Sequence, residues 1–212
     1  MTGWWPWATL ALLGAYHGLN PGMGWLFAVA RGIQEQRRSA VWQSLLPIAA
    51  GHEAAIGLVV LGVGLAEVVI APQALRLGAA GVMLAFGIYR LVRRRAHPRG
   101  FGMRIGLLGL AAWSFLMSSA HGAGLMLVPI LLRLPGSEST DVSLLTGVAT
   151  ISPLQGLLAA TVHTAALLLV MAAVAIVVYE RLGLEFLRRA WLNLDLVWVV
   201  TLLAAGLVTL FT

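Results

Sequence analysis

The chain has 212 residues, of which 60% are hydrophobic and only 10% charged, and its mean hydropathy is +0.91. Water-soluble domains carry about a quarter charged residues, so a water-exposed globule is excluded and a bilayer is the expected solvent. The formal net charge of +6 does not call for nucleic acid, because in an apolar chain positive charge collects on cytoplasmic loops. All 14 basic residues are Arg, and there is no Cys. Lysine Schiff bases, disulfides, iron–sulfur clusters and thiolate zinc sites are therefore excluded.

A membrane helix needs ~20 mostly apolar residues. Six segments meet this, at about 4–33, 40–66, 73–92, 105–132, 153–178 and 191–211. They predict an all-α integral membrane protein with a single transmembrane domain over 1–212. Trp4, Trp5 and Trp7 open the first segment as an interfacial anchor. Pro21 and Gly22 interrupt it within Asn20-Pro21-Gly22, since proline removes a backbone donor and crowds the preceding turn. Gly122 and Gly124, followed by Pro129, predict a matching break in the fourth segment. The first and fourth helices are thus expected to be broken, with freed backbone groups facing a site. Gly78-Ala-Ala-Gly81 offers a small-residue surface for packing within the chain or in a homo-oligomer.

Arginine fixes the expected orientation. Three loop regions hold 12 of the 14 arginines (Arg31, Arg37 and Arg38; Arg90 to Arg104; Arg181, Arg188 and Arg189) and alternate with regions holding only Arg76 and Arg133. The rule that positive loops stay inside makes the first three cytoplasmic and puts both termini outside, in a bacterial-type inner membrane. The basic edges suit anionic lipid.

Four of the five histidines fall inside the segments, while His97 falls in an Arg-rich loop. His17 lies 13 residues past Trp4, about 20 Å down a helix, and His52, His121 and His163 are similarly deep. Each half of three segments, about 4–95 and 105–211, carries one His in its first helix and one in its second. Three is odd, so the halves run in opposite senses, as in inverted repeats whose sites lie at the midplane. Ionisable groups at that depth mark functional paths, and imidazoles without thiolates suit Ni, Co, Cu, Zn or Fe. Met23, Met117 and Met126 lie nearby, and Met23 is a candidate thioether ligand beside the four histidines. Glu53 is the one acid deep in a segment, a candidate proton carrier, countercharge or partner to a ring, with Asn20 in a similar supporting role. Ser118, Ser119, Thr161 and Thr164 offer hydroxyls in the same stretches.

Residues 14–24, Gly-Ala-Tyr-His-Gly-Leu-Asn-Pro-Gly-Met-Gly, resemble the first-span motif of the nickel/cobalt exporter family, which reads roughly H-A-L-E-P-G-H-G. The basic linker at Arg37-Arg38-Ser39 and the Gly51-His52-Glu53 helix are similar to that family's second span. The resemblance covers about residues 10–95. It implies six spans in two inverted halves, within the superfamily of lysine-type exporters, and roles for His17, Pro21 and His52. Asn20 stands where the motif has an acid and Met23 where it has a second His, which points to a softer metal or another solute.

The expected function is a secondary transporter or exporter of a transition-metal cation, proton-coupled through Glu53 or a histidine, working by rocking one half against the other. The absence of a Gly-x-x-x-x-Gly-Lys motif excludes ATP drive within this chain. Two alternatives stay open: a membrane metalloprotein or redox enzyme with a permanent metal or haem, and an accessory subunit of a membrane complex. A rhomboid-like hydrolase built on Ser118 or Ser119 lacks the Gly-x-Ser-x-Gly context.

Overall fold

The computed structural model describes residues 3–67, 70, 72–92, 105–131, 134, 153–182 and 194–211. Among them the regular elements are all helical: α1 (Trp5–Leu19), a 3₁₀ turn (Pro21–Met23), α2 (Trp25–Glu35), α3 (Arg38–Glu67), α4 (Pro72–Val92), α5 (Leu107–His121), α6 (Ala123–Leu131), α7 (Pro153–Val177) running into a π turn (Val178–Leu182), and α8 (Leu194–Phe211). Each predicted segment is mainly helical where it is described. His97, the arginines between 93 and 104, Arg133, Arg188 and Arg189 lie outside the described residues, so the orientation pattern is only partly represented.

Two helices, Arg38–Ala66 and Leu154–Arg181, are long and apolar enough to cross a membrane, and the α5–α6 pair, bent by 59°, qualifies as a third if taken as one broken span. The outside of the bundle is apolar: Leu46, Leu58, Leu61, Leu108, Leu157 and Leu169 are all exposed, as are Trp4 and Trp5 at the start of α1. The polar side chains His17, His52, His163, Ser44, Ser114 and Ser118 are instead fully buried. That distribution is the reverse of a water-soluble core and suits hydrocarbon outside.

Glycine decides which helices meet. α1 packs on α7, α3 on α5, and α4 on α8. A Cβ added at Gly14 would overlap the carbonyl oxygen of His163, and one at Gly18 would press on that of Leu167. Gly14 and Gly18 are four apart, a small-xxx-small spacing that lets backbones approach. Gly51 makes the corresponding approach to Ala111 from α3 to α5. Buried apolar side chains fill the remainder in two clusters, one around Met23, Trp113, Met117 and Leu167, the other around Leu10, Ile56, Leu127 and Ala160.

The two breaks differ in construction. In the first, Asn20 is extended and its side chain accepts from the Gly22 N–H at 2.9 Å, capping the 3₁₀ turn as a side-chain-closed turn does. Gly24 then takes φ 125°, outside the range of L side chains, and starts α2. In the second, Gly122 alone, at φ 70°, ends α5 and admits α6. The α2–α3 corner carries ion pairs from Glu35 to Arg31 (2.6 Å) and to Arg37, and Arg38 reaches Glu180 of the π turn at 3.0 Å.

Candidate functional site

Three of the four predicted histidines come together. His17 from α1, His52 from α3 and His163 from α7 have ring centres 5.4 Å (His17–His52), 4.8 Å (His17–His163) and 5.4 Å (His52–His163) apart, all at zero exposure. The His17 ring stands edge-on to the other two, whose planes are within 7° of parallel. The Gly14/Gly18 contact explains the shortest distance, because it brings the α1 backbone against the turn of α7 that carries His163.

Each ring is held through Nδ1. The Nδ1 of His17 lies 2.7 Å from the Leu13 carbonyl and that of His163 lies 3.2 Å from the Leu10 carbonyl. A carbonyl only accepts, so both nitrogens carry the proton and, in the neutral rings, Nε2 is the lone-pair nitrogen. His52 instead faces a hydroxyl, with Nδ1 2.7 Å from Ser118 Oγ of α5. The Nε2 atoms of His52 and His163 are buried without a hydrogen-bond partner among the described residues.

His121 is placed differently. It is the last residue of α5, its Nδ1 lies 2.7 Å from the Met117 carbonyl, and it lines a small cleft with Phe86, Arg90, Ala120, Val199 and Leu202. Met23 is buried in the apolar core with Trp25, Ile48, Trp113 and Met117.

Glu53 follows His52 on α3 and turns to α7, where Thr164, next to His163, donates its hydroxyl to Oε2. Hydroxyls in membrane helices usually return to their own backbone, as Thr161 does to the Leu157 carbonyl. Ser118 and Thr164 reach across helices instead, to His52 and Glu53. Neither partnership was readable from spacing, since both depend on how the helices are rotated against each other.

The expectation that carbonyls freed by the first break face the site is corrected. The Leu19 carbonyl accepts from the Trp25 indole N–H at 3.1 Å, and the Gly22 carbonyl from the Trp113 indole N–H at 3.0 Å. A bare carbonyl in a water-poor interior costs several kcal/mol by order of magnitude, and two indoles remove that cost. The signal available in the sequence was a tryptophan in the middle of an apolar segment, away from the interfaces where that residue is expected.

Three imidazoles binding one ion through one nitrogen each, at ~2.1 Å and tetrahedral angles, have ring centres on the order of 5 Å apart. The triangle formed by His17, His52 and His163 has that size. Among the described residues, no group of three or more His, Asp or Glu side chains could hold a metal ion as placed. No protein-family model, curated protein or solved structure matches the chain.

Proposed function

We propose that this chain is a secondary transporter that carries a transition-metal cation through a midplane site formed by His17, His52 and His163. The observation that carries this reading is the convergence of three fully buried imidazoles, from three helices, at ligand-set spacing inside a bundle with an apolar exterior. Nitrogen donors without thiolate favour Ni, Co, Cu or Zn over Mg or Ca. Glu53, bonded to Thr164 beside the triangle, is the proposed proton exchanger. His121 lies at the second break as an entry or exit ligand, and Met23 stays in the core. The first-half resemblance to nickel/cobalt exporters points the same way, with Asn20 serving as the cap of the broken helix.

The same reading includes six spans in two inverted halves. Its support is a set of paired contacts that exchange when the halves are swapped. α1 packs on α7 as α5 packs on α3, while α4 meets its own counterpart α8. His17 and His121 both place Nδ1 against the carbonyl four residues earlier. His52 meets His163, and Glu53 meets Thr164, as counterparts on a two-fold axis must. The Arg38–Glu180 pair joins the first and fifth loop regions at one end, in keeping with both being cytoplasmic in an inner membrane.

The test is metal flux into liposomes containing the purified chain and an internal metal indicator, with and without a pH gradient. Wild type is expected to move Ni²⁺, Co²⁺, Cu⁺ or Zn²⁺, with metal bound loosely enough to be competed away. Stoichiometric metal or a haem absorption band surviving purification would replace transport with a permanent metal centre. No metal binding at all, and a His17→Ala/His121→Ala double variant indistinguishable from wild type, would leave a subunit of a larger membrane complex.

A further inference from the structure

The three rings of the triangle have zero exposure, so a solute reaches them only when helices part. α3 and α7 supply two of the rings and are apolar to either side of them. Toward the C-terminus of α3, Ile56 lies in one buried cluster with Ala159 and Ala160 of α7. In the other direction, Val41 and Ile48 of α3 share a second cluster with Met171 and Val178 of α7. Such contacts carry no hydrophobic drive in a bilayer, because lipid tails are as apolar as the side chains they would replace. Polar ties between the two helices therefore weigh more.

Two such ties join α3 to α7. One, Thr164 to Glu53, lies beside the triangle. The other lies at the rim, where Arg38, the first residue of α3, holds Glu180 of the π turn at 3.0 Å. Arg38 is 14 residues before His52, about 20 Å along a helix. Local structure supports both partners. Arg37, next to Arg38, is engaged by Glu35, which also holds Arg31, and this ties down the start of α3. Tyr179, next to Glu180, lies over Gly32 of α2, where an added Cβ would come within 3.1 Å of its ring and would overlap Val41 of α3. Gly32 thus seats the ring where α2, α3 and the π turn meet. Single π turns are rare and are found frequently at functional positions, and this one carries Glu180.

We propose that Arg38 and Glu180 form a latch that keeps α3 and α7 closed at this basic end of the bundle. The latch acts in the protein without any bound ion. Only its consequence, that release opens a way from that end to the triangle, rests on the transport reading. Both side chains are more than a third exposed, at 58% and 40%, and an exposed ion pair is a weak tie. A weak tie suits a latch, since it biases an equilibrium between closed and open forms without locking it.

The experiment is a pulsed electron spin resonance distance measurement on the full chain in bilayers without metal, with spin labels at Gln43→Cys and Val177→Cys. Both positions are exposed, one on each helix near the pair, and the chain has no cysteine of its own. In the labelled parent chain one short distance is expected to dominate. Glu180→Arg, which faces Arg38 with a second cation, is expected to raise the population at longer distance about threefold, in keeping with the strength of exposed pairs. Glu180→Gln, which removes the attraction without adding repulsion, is expected to fall between. Arg38→Glu/Glu180→Arg, which rebuilds the pair in reverse, is expected to return the parent distribution. Distances unchanged in both Glu180 variants, or a reversed pair as open as Glu180→Arg alone, would overturn the latch. Variants that part the helices while no form of the chain moves Zn²⁺ would uphold the latch and overturn the transport site.

Discussion

α1 and α5 are each 15 residues long, and each carries near its end a histidine tied to the carbonyl four residues back. Beyond those histidines the two helices break in different ways. After α1 the chain makes an extended residue, a 3₁₀ turn and a glycine at φ 125° before it becomes helical again, while after α5 it uses one left-handed glycine. The wide break leaves carbonyls that two indoles must satisfy. The narrow break restores the ladder within a turn, through bonds such as Met126 N–H to the Gly122 carbonyl. The wide interruption thus draws on side-chain donors, one from the helix that follows it and one from α5 across the bundle, because freed carbonyls in an apolar medium need partners. The histidines follow the same division: His17 lies three residues before Asn20, where its break begins, and packs against α7, whereas His121 is the last residue of α5, directly before Gly122.

The largest expected effect separates the two histidines. Outer-shell losses at metal sites reduce affinity about 10–100-fold, so His17→Ala, a direct ligand in the proposed site, should lower Zn²⁺ affinity by more than about a hundredfold. His121→Ala should cost about tenfold or less. Calorimetric titration of both variants checks this, and equal losses would erase the distinction between the breaks.

Next come the two glycines. Gly24→Ala forces an L side chain into a strained backbone region and against Ile48, and should destabilise by about 3 kcal/mol. Gly122→Ala, in the left-handed region with room for a Cβ, should cost about 1 kcal/mol. Gly122→Asn should cost less, because asparagine visits that region readily. Unfolding midpoints in a denaturing detergent series would rank the three.

Trp113→Phe keeps an aromatic ring but withdraws the donor from the Gly22 carbonyl, an expected loss of about 2 kcal/mol. No such dependence on an indole is expected at the second break, and the same detergent series would measure the difference.

The smallest effect lies just past the first broken segment. The guanidinium groups of Arg37 and Arg31 hold the Glu35 carboxyl below its ordinary range. A lowered value means the pairing contributes above the unfolded-state value, about pH 4.3, and is lost as the pH falls through the lower folded value. Glu35→Gln should therefore be slightly less stable than wild type at pH 7, with the gap closing below about pH 4. Thermal melts at several pH values would show whether it closes.

Much of this was readable from residue order. Apolar run lengths located the helices, Asn20-Pro21-Gly22 and Gly122 located the interruptions, and the depth of His17, His52 and His163 anticipated a shared interior position. The rest depends on rotation about helix axes, which hydropathy leaves undetermined in segments that are apolar on every side. That is why the Glu53–Thr164 and His52–Ser118 partnerships, the indole caps at Leu19 and Gly22, and the separate placement of His121 came only from the packed structure.

Backbone-close packing at Gly14 and Gly18 makes α1 and α7 a unit, and Gly51 does the same for α3 and α5. The least disruptive seam therefore runs between those two pairs rather than between the first and second halves of the sequence. One unit carries His17 and His163, the other His52 together with Ser118. A movement along that seam would open the triangle on its His52 side while His17 and His163 stay together, and in the transporter proposed above it would release the ion by withdrawing a single ring.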